Sequence, residues 1–337
     1  MRQRRWQDGF CSIAALQKTD SRISYGYEND TILAMRIESS LEKLKDTCIP
    51  FGSVKVKKEE KMGKKLIFLD IDGTLTRAGS NEPPASALEA VRRAQKKGHY
   101  VFLCTGRNYA MLSPLLQFGF DGAIASSGGY IFCGDKVIYD CPMTEAQRKT
   151  VMEVFHKNGV FRTIECKDGS YTDEGFKIFL RENAKQGANS ELLRWREQIE
   201  HDLNILPMKQ YRGQDVYKLV FMSSSLEQLE EPKRVLQGNF DFCIQDADGY
   251  GMINGELVNR KFNKGKGIER VCEYLNLSVN DTIGFGDSMN DWEMLETVGL
   301  SFCMENGSKK LKELADEICP SVENDGLYQG FLKYGLA

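Results

Sequence analysis

From Lys64 onward the chain alternates between short apolar runs and amphipathic stretches. KLIFLD (65–70) is a continuous apolar run ending in a carboxylate, the pattern of a strand covered on both faces. HYVFLCTGR (99–107), GAIASSGG (122–129), TIGFGD (282–287) and GLSFCM (299–304) repeat that pattern. Between the first two runs, Leu88, Val91 and Ala94 fall on one helical face, and Gly98 supplies the stop. Strand–helix alternation with short glycine-bearing turns predicts a parallel sheet with helices on both faces. The rhythm changes between Thr144 and Leu257. Thr144-Glu-Ala-Gln147 has the form of a capping box ahead of Val151, Val154 and Phe155. VYKLVFM (216–222) then predicts a strand, SLEQLEEPKRVL (225–236) a helix and FDFCIQ (240–245) a further strand. The expectation is a core built from 63–143 and 258–337, with an α+β unit, 144–257, inserted into it. Such insertions often act as lids over the ligand-binding edge of a sheet.

Residues 1–62 follow a different pattern. Leu33, Ile37, Leu41 and Leu44 share one helical face, so one amphipathic helix is expected within 31–46. KVKKEEKMGKK (55–65) reads as a charged linker. The basic, partly apolar start MRQRRWQDGFCSIAAL is interrupted by Gln7 and Asp8, which argues against a targeting peptide. No apolar run approaches the ~20 residues of a membrane span, so no membrane association and a cytoplasmic location are expected.

A length of 337 residues suits two packed units. The net charge of −3 gives no global reason to bind nucleic acid. The ten cysteines form no CxxC pair and several sit in apolar runs, so buried free thiols are expected. The three histidines, His99, His156 and His201, are too scattered for a zinc motif.

The chemistry gathers at predicted strand ends, where open α/β sheets collect their ligands. Asp70 and Asp72 lie two residues apart, and their mutual repulsion calls for a cation or ligand. Gly73 permits a sharp turn there, although a DxDG turn capped by its own aspartates has the same sequence. GFGDSMND (284–291) adds Asp287, Asn290 and Asp291 at another strand end. Hard oxygen donors in that setting suit Mg²⁺, while Asp291 also reads as a helix N-cap. Thr105 and Gly106 in CTGR offer a hydroxyl and main-chain N–H groups to an anion, or simply a turn. Lys264, at the start of a predicted helix over 264–276, can neutralise phosphate charge. Lys261 and Lys266 compete with it, and a solvated surface role is open to all three.

At these residues the chain resembles the haloacid dehalogenase superfamily, specifically its Cof-type phosphatases. LDIDGT (69–74), LCTGR (103–107), NKGKG (263–267) and GFGDSMND (284–291) are similar to its four motifs, in order. ADEICPSVENDGL (315–327) is similar to the family's ending. Where members often carry Asn-Gly after the third strand, this chain has Ser127-Gly128-Gly129. The resemblance implies a Rossmann-like core with an inserted cap between the second and third motifs. It implies Asp70 as nucleophile, Asp72 as general acid and base, and Mg²⁺ held by Asp70, Asp287 and the main-chain carbonyl of Asp72. Thr105, Gly106, Lys264 and Asn290 would hold phosphate, with Gly73 and Asp291 in support.

The expected activity is hydrolysis of a small phosphomonoester, a sugar phosphate or phosphorylated cofactor, through an aspartyl-phosphate. The competing readings are a phosphotransferase or mutase acting on sugar phosphates, and a non-catalytic phosphoester-binding regulator. Arg162, Tyr171, Lys177, Tyr211, Arg212 and Lys218 are the cap's candidates for specificity. The sequence does not name the substrate or the oligomeric state.

Overall fold

The computed structural model describes residues 63–176, 178, 205–244 and 253–337. The helix expected within 31–46 and the candidate Lys177 lie outside these residues.

An eight-stranded sheet forms the core. Its strands are β1 (Leu66–Leu69), β2 (Tyr100–Cys104), β3 (Gly122–Ala125), β4 (Tyr130–Cys133), β5 (Lys136–Asp140), β12 (Thr282–Gly286), β13 (Leu300–Met304) and β14 (Glu317–Cys319). They lie in the order β14-β13-β12-β1-β2-β3-β4-β5. Pairing is parallel from β14 through β3 and turns antiparallel at β4 and β5. β1 is central, paired with β12 on one side and β2 on the other. Its four residues are fully buried, and they alternate between two apolar clusters: Ile67 and Leu69 on one face, Leu66 and Phe68 on the other. Each such side chain contributes roughly 1.5–3 kcal/mol by leaving water, which fixes the strand where Asp70 emerges.

Helices α1 (Ala85–Lys96), α2 (Tyr109–Leu116), α5 (Lys264–Leu275), α6 (Trp292–Thr297), α7 (Lys309–Leu314) and α8 (Gly326–Lys333) flank this sheet. The buried stripe of α1 is Ala87, Ala90, Val91 and Ala94; Leu88, expected in that stripe, sits at its margin. Gly98 ends the helix with a φ of 90°, as the sequence predicts.

Between β5 and the return to the core, the chain builds a second, mostly antiparallel sheet, β10-β11-β9-β6-β7-β8. Its strands are β6 (Phe161–Cys166), β7 (Ser170–Thr172), β8 (Ile205–Pro207), β9 (Val216–Ser223), β10 (Phe240–Ile244) and β11 (Ile253–Asn259). Helices α3 (Glu145–Lys157) and α4 (Glu227–Leu236) cover one face through Val151, Phe155, Leu219, Phe221 and Leu229. The capping box at Thr144 is present in both directions: Thr144 accepts from Gln147 N–H, and Gln147 accepts from Thr144 N–H. On β9, Lys218 alternates with Tyr217 and Leu219 and points away from that helix-covered cluster. The described cysteines are free, most of them buried. Among the described residues no helix is long and apolar enough to cross a membrane.

Candidate active site

Asp70 continues the ladder beyond β1, its N–H donating to the Phe285 carbonyl at 3.0 Å. The chain then folds back tightly, with Gly73 N–H donating to Thr76 O at 2.8 Å and Leu75 N–H to Asp70 O at 3.2 Å. Gly73 has a φ of 86°, and a Cβ there would stand 2.3 Å from Asp287 Oδ2. Glycine is therefore required twice, by conformation and by the approach of a carboxylate.

Asp287 leaves β12 beside this turn. Its Oδ2 accepts from Asn306 Nδ2 at 3.1 Å, and the same amide donates to Gly73 O at 3.0 Å. Nothing in the sequence pattern marked Asn306. Asp287 Oδ1 is buried without a hydrogen-bond partner among the described residues. Carboxylate oxygens of Asp70, Asp287 and Asp291 lie within 4.8 Å of one another, all buried. Burial, then the Asp291 charge, pushes the Asp70 carboxyl up to about 8 despite Lys264. Burial, then Asp70 and Asp291, raises Asp287 well above its ordinary value. A partnerless buried oxygen among hard donors that repel one another fits a divalent cation such as Mg²⁺.

Lys264 opens α5, whose cap is Asn263, accepting from Lys266 N–H at 2.8 Å. The Lys264 Nζ donates to Asp70 Oδ1 at 2.7 Å, to Asp291 Oδ1, and to Asn290 Oδ1 at 3.3 Å. Burial alone would lower its pKa, but Asp291 and Asp70 hold it well above the usual lysine range. Lys261 and Lys266 are exposed, and Lys266 Nζ is occupied by the Arg260 carbonyl. Asp291 does not cap α6 with its side chain. Its Oδ2 instead accepts from the N–H groups of Asp287 and Ser288, at 3.0 and 3.1 Å. One carboxylate thus shapes the loop and anchors the lysine.

Thr105 and Gly106 follow β2. Thr105 N–H donates to Ile124 O at 2.8 Å, and its hydroxyl accepts from Arg107 N–H at 3.1 Å, which leaves its own proton to donate. Arg107, read in the sequence only as part of the CTGR motif, forms a buried two-point ion pair with Asp72. Nε meets Oδ2 at 2.8 Å and Nη2 meets Oδ1 at 2.7 Å. Gly79 N–H adds a third bond to Asp72 Oδ1 at 2.7 Å, and Arg107 also grips Asn81 and the Ser80 carbonyl. The Asp72 carboxylate is therefore held toward the 79–81 loop and is not part of the Asp70–Asp287–Asp291 cluster.

The cap candidates separate clearly. Arg162 is tied to Asp173 and the Met152 carbonyl, and Tyr171 bonds Asp168 and Gln214 within the cap. Tyr211 bonds Gln214 O, and Arg212 is exposed and bonds its neighbours' carbonyls. Lys218 is different. It is fully buried, donates to the Gly106 carbonyl at 2.9 Å and pairs with Glu256 at 2.6 Å. The β6–β7 turn also meets α2, through Asn108 Nδ2 to Ser170 Oγ at 2.9 Å and Ala110 N–H to Lys167 O at 3.1 Å.

The family profile of the haloacid dehalogenase-like hydrolases matches residues 67–331. The Bacillus subtilis protein YkrA, which carries a provisional name as a phosphatase, is 27% identical over 281 residues, covering 82% of this chain and 99% of that one. The 5-amino-6-(5-phospho-D-ribitylamino)uracil phosphatase YwtE of the same organism is 26% identical over 282 residues, covering 78% and 95%. The solved structure of BT1666 from Bacteroides thetaiotaomicron, described among phosphatases of this superfamily, superposes with a TM-score of 0.67 at 21% identity, covering 85% and 100%.

Proposed function

The chain belongs to the haloacid dehalogenase-like hydrolases and is a phosphatase, and from that premise we propose that it hydrolyses small phosphomonoesters in a Mg²⁺-dependent reaction through an aspartyl-phosphate on Asp70. The observation that carries this reading is the meeting of Asp70, Asp287 and Lys264 at the carboxyl end of the central strand. Relatives named for phosphatase activity, one of them for a phosphorylated ribityl compound, support the substrate class.

In this reading the Asp70 carboxylate attacks phosphorus as the bond to the ester oxygen breaks. Asp72 gives its proton to the departing alkoxide. Water then attacks the aspartyl-phosphate, Asp72 takes the water's proton, and the Asp70–phosphorus bond breaks to release phosphate. For the first transfer Asp72 must turn from Arg107, whose two hydrogen bonds hold it in place, and take up a proton from solvent before it gives that proton to the alkoxide. Lys264, Thr105 and the N–H groups of the CTGR turn stabilise the equatorial oxygens. Asp70, Asp287 and the main-chain carbonyl of Asp72 would hold Mg²⁺, which when bound offsets the phosphate charge that otherwise repels the nucleophile. The unit 144–257 serves as the cap over this edge.

The test is phosphate release from p-nitrophenyl phosphate with Mg²⁺, with chelator, and with Asp70→Asn. Release that requires the cation and is lost by at least about a thousandfold in Asp70→Asn is expected. Release that survives chelator or that substitution contradicts the mechanism. Transfer to an added sugar with little free phosphate would indicate a phosphotransferase instead.

A further inference from the structure

Lys218 is fully buried, yet its ammonium reaches out of the cap sheet to the core. Two glutamates of that sheet direct it. Glu165 stands opposite it on β6, Glu256 lies on the other neighbouring strand, β11, and they meet Nζ at 3.5 and 2.6 Å. Burying a lysine is costly unless counter-charges accompany it, and these two carboxylates supply them. The third acceptor before the ammonium is the Gly106 carbonyl, at 2.9 Å, in the turn that carries Thr105.

That carbonyl is the middle one of three in the CTGR turn. The outer two are held by the core: Thr105 O accepts from Ser127 N–H at 3.0 Å, and Arg107 O from Ser126 N–H at 2.8 Å. Gly106 O is held by the cap. Its peptide unit also supplies the Arg107 N–H, which donates to Thr105 Oγ1 at 3.1 Å. A peptide unit is planar, so one rigid plate is gripped at its carbonyl by the cap lysine and at its N–H by the threonine hydroxyl. Glycine on one side of the plate would otherwise let it turn, and a Cβ there would stand 3.1 Å from Lys218 Nζ, pressing on the ammonium. Two further cap contacts land on the residues that follow, Asn108 Nδ2 to Ser170 Oγ at 2.9 Å and Ala110 N–H to Lys167 O at 3.1 Å. The cap therefore grips the segment that carries the phosphate-binding turn.

We propose that Lys218, held by Glu165 and Glu256, is a positioning residue: it fixes the Gly106–Arg107 peptide, so that the Thr105 hydroxyl keeps its acceptor side on the Arg107 N–H and its proton for the transferring phosphoryl group. The cap is then part of the phosphate site as well as a cover for it. This rests on the phosphatase reading above, and Lys218 acts in it only through Thr105.

The test is a double-mutant cycle on the full chain with Mg²⁺ and p-nitrophenyl phosphate. One arm is Thr105→Val. The other combines Lys218→Met with Glu165→Gln and Glu256→Gln, which removes the lysine without leaving buried carboxylates unpaired. Circular-dichroism melts give the folded fraction to which kcat/KM is scaled. Thr105→Val is expected to lower kcat/KM about 100-fold, as for one lost donor to the transferring group. The cap triple variant is expected to lower it about tenfold where Thr105 is present, chiefly through kcat, and less than about twofold in the Thr105→Val background. A merely structural role of the cap lysine gives the same fold loss in both backgrounds. Gly106→Ala, which displaces the ammonium from the core side, repeats the cycle with the same expectation and carries the test if the triple variant does not fold. A loss equally large with and without the Thr105 hydroxyl, or no loss when the hydroxyl is present, overturns the positioning role and leaves the phosphatase reading standing. A wild type that releases no phosphate overturns both.

Discussion

Three buried carboxylates, Asp70, Asp287 and Asp291, face one buried ammonium, that of Lys264. The arrangement holds together only if the lysine, and in the proposed reaction a divalent cation, offset the repulsion. Lys264→Met is therefore expected to lower kcat on p-nitrophenyl phosphate by about 100- to 1000-fold, as for loss of one charge-stabilising donor. A circular-dichroism melt of the same sample establishes the folded fraction, and a kcat within tenfold of wild type would contradict the role. Gly73→Ala tests the turn. Its Cβ would meet Asp287 Oδ2 at 2.3 Å in a backbone with a φ of 86°. The expected cost is at least about 1 kcal/mol of stability by denaturant titration, with more than a tenfold loss of turnover. Some of this was legible in the sequence and some was not. The spacing of Asp70, Asp72 and Gly73 is local and could be read directly, whereas the Arg107–Asp72 pair spans 35 positions and exists only once β1 and β2 lie side by side.

At the scale of elements, the strands that carry the chemistry were legible because they are covered on both faces and therefore read as unbroken apolar runs. β1, β12 and β13 fall within one residue of the runs that predict them, and β2 starts within one residue of its run and ends three before the run does. β4 and β5 were not anticipated. β5 (Lys136–Asp140) lies at the sheet edge with no fully buried residue, so its sequence carries little hydrophobic signal. Where β1 and β2 begin, the pairing depends on a histidine. The Lys65 N–H donates to His99 Nδ1 at 3.1 Å, while Tyr100 N–H donates to Lys65 O at 2.9 Å. Burial, then the charges of Lys97 and Lys65, lowers the His99 pKa from 6.5. A protonated imidazole cannot accept the Lys65 N–H. Because the folded-state value is the lower one, this contribution is complete above 6.5 and is lost as pH falls through the folded-state value. The stability difference between wild type and His99→Gln, measured by urea titration, should be larger at pH 7.5 than at pH 5.5. A difference that grows on acidification would contradict the assignment.

Across the whole molecule, the insertion between β5 and α5 brings a second sheet against the loop after β2, and one cap lysine reaches the Gly106 carbonyl. The change of rhythm after Thr144 made an inserted unit legible, but no pattern distinguished Lys218 from Arg162 or Arg212, because which face of the cap sheet meets the core is a tertiary outcome. The account nevertheless depends on one covalent event at residue 70. Its most direct test is borohydride reduction of enzyme quenched during turnover of a phosphomonoester with Mg²⁺, followed by mass spectrometry of the peptide spanning β1. An aspartyl-phosphate is reduced to homoserine, so the account predicts homoserine at position 70, dependent on both ester and cation. Turnover that proceeds while position 70 remains aspartate, or homoserine found at 72, 287 or 291 instead, would contradict it.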